Sequence, residues 1–123
     1  MRALVVIAHG SRSEAANEEF CRLVGALAPA TPGYARVAHA FLEAAAPSLP
    51  AAMAQLVVDG CREADIYPLF FNGGRHVARD LPALLEEVRS AHPDCRLRLL
   101  PHFGAWSGLA QALAAHIAES GGD

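Results

Sequence analysis

The chain has 123 residues, a formal net charge of −3 and 53% apolar residues, which describes one packed domain (residues 1–123) and excludes a disordered or strongly basic nucleic-acid-binding segment. All ten cationic side chains are arginine, so chemistry built on a P-loop lysine, a Schiff-base lysine or the lysine of a receiver domain is excluded as well. The three cysteines, Cys21, Cys61 and Cys95, show no C-x-x-C spacing and read as small buried hydrophobes of a reducing compartment.

The apolar residues before His9 are too few for a signal peptide or a membrane span. A cytoplasmic location is therefore expected, with neither membrane nor nucleic acid as partner. Apolar runs then alternate with helical patterns four times, the signature of βαβ units and a parallel sheet. The first strand covers about 3–8. A helix follows from about Ser13, with Ala16, Phe20, Leu23, Val24 and Leu27 on one face, until Pro29, Pro32 and Gly33 end it.

The second strand is expected over about 35–42. Pro47 and Pro50 suit the first turn of a second helix, where a missing N–H costs little; Leu49, Met53, Leu56 and Val57 form its inner stripe and Gly60 stops it. The third strand covers about 65–71. Asp80 is placed to cap a third helix with Leu81, Leu84, Leu85 and Val88 inside. A fourth strand over about 95–100 precedes a last helical stretch carrying Trp106, Leu109, Leu113 and Ile117.

Strands one and three are nearly continuous apolar runs, as helices on both faces require. The fourth alternates Arg96 and Arg98 with Leu97 and Leu99, and the second carries Arg36 and His39. Polar strands belong at sheet edges, so the predicted order is 2-1-3-4. That makes strands one and three neighbours about 4.8 Å apart, with the switch point of the open sheet between their carboxyl ends.

Two histidines fall there. His9 follows the first strand in His-Gly-Ser-Arg, and His76 follows the third beyond Gly73-Gly74, glycines that let a backbone approach a ligand closely. Facing imidazoles can hold a divalent first-row metal with positions left open. Glu43, at the end of strand two, could add an oxygen ligand or take up protons. Gly10-Ser11-Arg12 could cradle an anion at a helix start, and Arg12, Arg75 and Arg79 could meet carboxylates. His102 also lies at the ligand-binding end of the sheet. His39 is expected to be a satisfied core or edge residue, and His92 and His116 to sit at helix ends or in solvent.

The stretches Ala8-His9-Gly10-Ser11-Arg12 with Ala16-Asn17-Glu18, Phe41-Leu42-Glu43 with Pro47-Ser48-Leu49, and Pro68-Leu69-Phe70-Phe71 through Gly74-Arg75-His76-Val77 and Asp80-Leu81-Pro82 resemble the CbiX-type sirohydrochlorin chelatases in their short, single-domain form. The resemblance extends to about Gly104. It implies an α/β class II chelatase that inserts a divalent metal (cobalt, iron or nickel) into sirohydrochlorin, a carboxylate-rich tetrapyrrole. It further implies His9 and His76 as the metal-binding pair, with no organic cofactor, and a homodimer, since longer relatives hold two such domains. The loop Asn72-Gly73-Gly74-Arg75 departs from the family's commoner, more apolar loop.

On this reading His9, His76 and Glu43 are the catalytic candidates, and Ser11, Arg12, Arg75 and Arg79 the substrate-binding ones. Competing readings are a metal- or tetrapyrrole-binding protein of the same fold without turnover, and a flavodoxin-like phosphate-binding module. A hydrolase is also conceivable from His-Gly followed by small residues, but no G-x-S-x-G elbow is present.

Overall fold

The computed structural model describes residues 1–121 and, at His76 and Val77, the backbone alone. Four strands, β1 (Arg2–Ala8), β2 (Arg36–Phe41), β3 (Glu63–Pro68) and β4 (Arg96–Leu99), form one parallel sheet in the order β2-β1-β3-β4. The two apolar strands are central and the two polar ones are edges, because an edge leaves a side chain room to reach water. Along β4 the arginines are exposed and the leucines half-buried.

Helix α1 (Glu14–Leu27) begins at Ser13, whose hydroxyl accepts from the Ala16 N–H at 3.2 Å. It covers one face of the sheet with Phe20, Val24 and Leu27 against Leu4 and Val6. The helices α2 (Leu49–Val58) and α3 (Leu81–Ala91) cover the other face, closing the main core of Val5, Ile7, Leu49, Met53, Leu56, Ile66, Leu81, Leu85 and Val88. Alternate residues of β1 thus feed opposite cores.

Four expectations need correction. Pro47 lies before α2 rather than in it: Ser48 caps the helix, Pro50 occupies its first turn, and the Pro47 carbonyl accepts from the Phe41 N–H at the sheet edge (2.8 Å). The third strand starts and ends earlier than its apolar run suggests, because β4 and β1 pair with Glu63–Pro68 while Leu69–Phe71 pass beyond the ladder. Asp80 does not cap α3. A π-helical turn, His76–Asp80, leads directly into the helix, so Asp80 already has helical backbone and no capping bond.

The last correction concerns the apolar C-terminal stretch. Trp106 precedes the helix α4 (Leu109–Glu119), which buries no residue. Among the described residues no helix is long and apolar enough to cross a membrane.

Candidate functional site

The site residues gather where β1, β2 and β3 end. The backbone on either side of Ala8 is held by a neighbouring segment: the Glu43 N–H donates to the His9 carbonyl (2.9 Å), and the Leu69 N–H donates to the Ile7 carbonyl (2.8 Å). Gly10 turns at φ +93°, and a Cβ there would sit 1.7 Å from the Glu43 carbonyl oxygen. Only glycine accepts both the left-handed backbone and that contact. The missing side chain at Gly10 therefore lets the His9 turn lie against the Glu43 backbone. The His9 ring, exposed to solvent, rests against Phe70 with centroids 4.8 Å apart.

The turn that follows is held by its own side chains. The Asn17 amide clamps Ser11, accepting from its N–H (3.0 Å) and donating to its carbonyl (2.7 Å), and the Ser11 hydroxyl accepts from the Ser13 N–H (3.0 Å). The N–H groups of Ser11, Ser13 and Ala16 thus already have partners. Of the tripeptide expected to cradle an anion, the Ser11 N–H is thus already taken up by Asn17, while the Arg12 side chain is exposed. Asn17 is the positioning residue that sequence reasoning passed over. Its signal was present, an Asn one turn into a helix behind a Gly-Ser turn, but only the folded turn shows which backbone it grips.

On the β3 side the backbone of His76 lies in the π-helical turn that the Ala78 N–H ties to the Gly74 carbonyl (2.9 Å); its side chain lies outside the described residues. Arg75 and Arg79 flank it. Both are exposed, as are Arg12 and Glu43, and the three arginines make no ion pair among the described residues. His102 borders the same loop from the end of β4: a Cβ on Gly73 would lie 3.0 Å from its Cε1. Among the described residues no three His, Cys, Asp or Glu side chains converge as a metal cluster.

The other histidines lie elsewhere. His39 is half-buried between α1 and the sheet, edge-on to Phe20 and Phe41 at 6.4 and 5.8 Å. His92 ends α3, and His116 is exposed on α4.

The opposite end of the sheet holds its charge differently. Asp65, nearly buried on β3, accepts from Arg98 (2.8 and 3.0 Å), Arg2 (2.8 Å) and the Tyr34 hydroxyl (2.6 Å). The Arg98 fork above all, with the other two donors, holds its carboxyl down at about 2 against the cost of burial. Behind β3, burial pushes the Cys95 thiol up to about 11.

Comparison with known proteins places this architecture. A CbiX protein from Marinobacter aquaeolei VT8 superposes with a TM-score of 0.83 at 28% identity, covering 98% of this chain and 97% of that one. The sirohydrochlorin chelatase SirB from Bacillus subtilis subspecies spizizenii, in complex with cobalt, gives a TM-score of 0.84 at 20% identity and shares the fold; it is covered over 50% of its length by 96% of this chain. The sirohydrochlorin cobaltochelatase of Methanocaldococcus jannaschii is 28% identical over 92 residues, 75% of this chain. This chain spans 64% of that relative and about half of SirB. Residues 3–120 match the CbiX family, and the chain belongs to it.

Proposed function

We propose that this protein is a metal chelatase that inserts a divalent transition metal into sirohydrochlorin. Cobalt is the favoured substrate ion, for cobalamin-type tetrapyrrole synthesis, with iron and nickel the other ions the same donors accept. The observation that carries the reading is the His9 imidazole, exposed above Phe70 on a turn that Gly10, Glu43 and Asn17 hold rigid, in a chain of the CbiX family.

His9 and His76 hold the incoming ion and leave coordination positions to water and then to pyrrole nitrogens. Four metal–nitrogen bonds form as the ion leaves the histidines and water. Two pyrrole N–H protons are released, and Glu43 or an imidazole accepts them as general base. Arg12, Arg75 and Arg79 meet the macrocycle's carboxylates as charged forks. A homodimer supplies the second half that a relative twice this length carries in one chain.

The test is anaerobic incubation of the protein with sirohydrochlorin and Co2+, Fe2+ or Ni2+ in turn, following the absorption change. Wild type should metallate faster than the spontaneous rate. His9→Ala and His76→Ala should each lose at least about 100-fold, the upper end of what removing even an outer-shell partner of a metal ligand costs, with an unchanged far-UV circular dichroism spectrum. Metallation at the wild-type rate by both variants would sink the assignment. Metal binding without any acceleration would leave a carrier of the same fold.

A further inference from the structure

The chain beyond β4 crosses the exit of β3 and interlocks with it. The Gly104 N–H donates to the Phe70 carbonyl (2.9 Å), and a Cβ on Gly104 would lie 1.7 Å from the Phe71 carbonyl oxygen. Backbone rests directly on backbone at this crossing, which a residue without a side chain permits. Beside it the Phe71 and Phe103 rings meet edge-on at 5.6 Å. Residues 102–104 are thus fixed against the segment that leads from β3 to His76.

From that anchored position the His102 ring reaches the loop itself. A Cβ on Gly73 would lie 3.0 Å from its Cε1 and 3.3 Å from its Nε2, whereas one on Gly74 would meet nothing within 4 Å. The ring is half-buried while residues 71–75 are all exposed, so the loop has little core of its own to hold its shape. One residue further on, the Gly74 carbonyl accepts from the Ala78 N–H (2.9 Å) and anchors the π-helical turn that carries the His76 backbone. The His102 ring makes no hydrogen bond among the described residues; what it offers the loop is van der Waals contact.

We infer that His102 is a positioning residue for His76: its ring, seated against Gly73, fixes the loop between β3 and the π-helical turn and so sets where the His76 backbone stands. The two histidine-bearing turns are then held by the same device. Glu43, beyond β2, braces the His9 turn at Gly10, and His102, beyond β4, braces the His76 loop at Gly73. In each case an edge strand's exit lies on a central strand's exit where a glycine leaves room. Metal–ligand bonds tolerate errors of only about 0.2 Å, so two ligands on separate strand ends need both turns held. The consequence for the metal rests on the proposed chelatase role; the bracing of the loop does not.

The experiment uses the full chain with His102→Ala, His102→Phe, Gly73→Ala and the pair Gly73→Ala/His102→Ala. Amide hydrogen exchange followed by NMR, without metal, is the first reading. His102→Ala should speed exchange of the Ala78 N–H about 10-fold and leave the Glu43 N–H, bonded to the His9 carbonyl, at its wild-type rate. His102→Phe keeps a ring against Gly73 and should restore most of the protection, a rescue that a change in bulk stability does not give. Calorimetric titration with Co2+ alone is the second reading. His102→Ala and Gly73→Ala should each weaken binding about 10-fold, the scale of a lost supporting contact at a metal ligand. The pair should bind no more weakly than His102→Ala, because the added methyl then has no ring to strike. Three results would overturn the inference: Ala78 exchange unmoved by His102→Ala, single-variant losses that multiply in the pair, and a His102→Phe variant as impaired as His102→Ala. A wild-type chain that binds Co2+ without metallating sirohydrochlorin ends the chelatase reading alone, since the exchange rates decide the bracing by themselves.

Discussion

The two ends of the sheet handle charge in opposite ways. At the amino ends of β3 and β4, Asp65 accepts from Arg98, Arg2 and Tyr34, so its carboxylate is taken up by side chains of the domain itself. At the carboxyl ends of β1 and β3, Arg12, Arg75 and Arg79 are exposed and make no ion pair among the described residues. Here the internal hydrogen bonds go to the backbone of the His9 turn instead. One end spends its polar groups on holding the strands together, and the other on holding a loop still while its side chains face outward. That is the division expected of an open α/β sheet, where ligands meet the carboxyl ends.

The largest expected effect comes from breaking the still loop. Gly10→Ala introduces a Cβ at the Glu43 carbonyl and forces a side chain into a left-handed conformation. We expect a loss on the order of 3 kcal/mol in stability and metallation at or near the spontaneous rate. Thermal unfolding and the absorption assay check the two parts. Gly25→Ala is the control, since a Cβ there meets nothing within 4 Å and the site is remote; it should fold and metallate normally.

Asp65→Asn tests the other end. It should cost roughly 2 kcal/mol by denaturant titration, well short of the penalty for stranding a fully buried charge, because Arg2 and Arg98 are 44% and 62% exposed and fall back on water. Metal insertion should be unchanged. The pH dependence has a fixed sign. The Asp65 pKa in the folded chain, about 2, lies below its unfolded value of about 4. The stabilisation is therefore complete above about pH 4 and disappears as pH falls toward 2. Acid unfolding of Asp65→Asn should lack that component.

The contrast between the ends was partly legible in the sequence. Edge polarity at Arg36, His39, Arg96 and Arg98 gave the strand order, and the switch-point rule then put His9 and the His76 loop at neighbouring strand ends. Three features were not legible. The apolar run through Leu69-Phe70-Phe71 continues past the ladder, where Phe70 backs the His9 ring and Leu69 and Phe71 line an open apolar surface, and periodicity cannot separate those duties from strand pairing. Asp80 has the chemistry of a cap, but the helical backbone starts upstream of it. The stripe of α4 predicts burial without saying against which surface.

Asn17→Ala sharpens the comparison without destroying the turn. It removes two hydrogen bonds to Ser11, at about 1 kcal/mol each or less in net stability. The larger consequence should be kinetic: a His9 that wanders lowers kcat by about 10-fold, while Ser11→Ala, which removes one turn bond, should do less. Asn17→Asp keeps the acceptor for the Ser11 N–H and should recover part of the rate, a rescue that loss of bulk stability alone does not produce.

The smallest effects belong to the exposed arginines. Arg75→Ala and Arg79→Ala touch no described ion pair, so stability should stay within about 0.5 kcal/mol of wild type. If these guanidinia meet peripheral carboxylates, they hold ground state and transition state alike, because the carboxylates lie far from the nitrogens that change bonding. Uniform binding of that kind appears in KM and not in kcat. KM for sirohydrochlorin should rise about 3- to 10-fold for each, the scale of one partly solvated charged contact, with steeper salt dependence in wild type than in the double variant. A fall in kcat at unchanged KM would instead place these side chains beside the reacting centre.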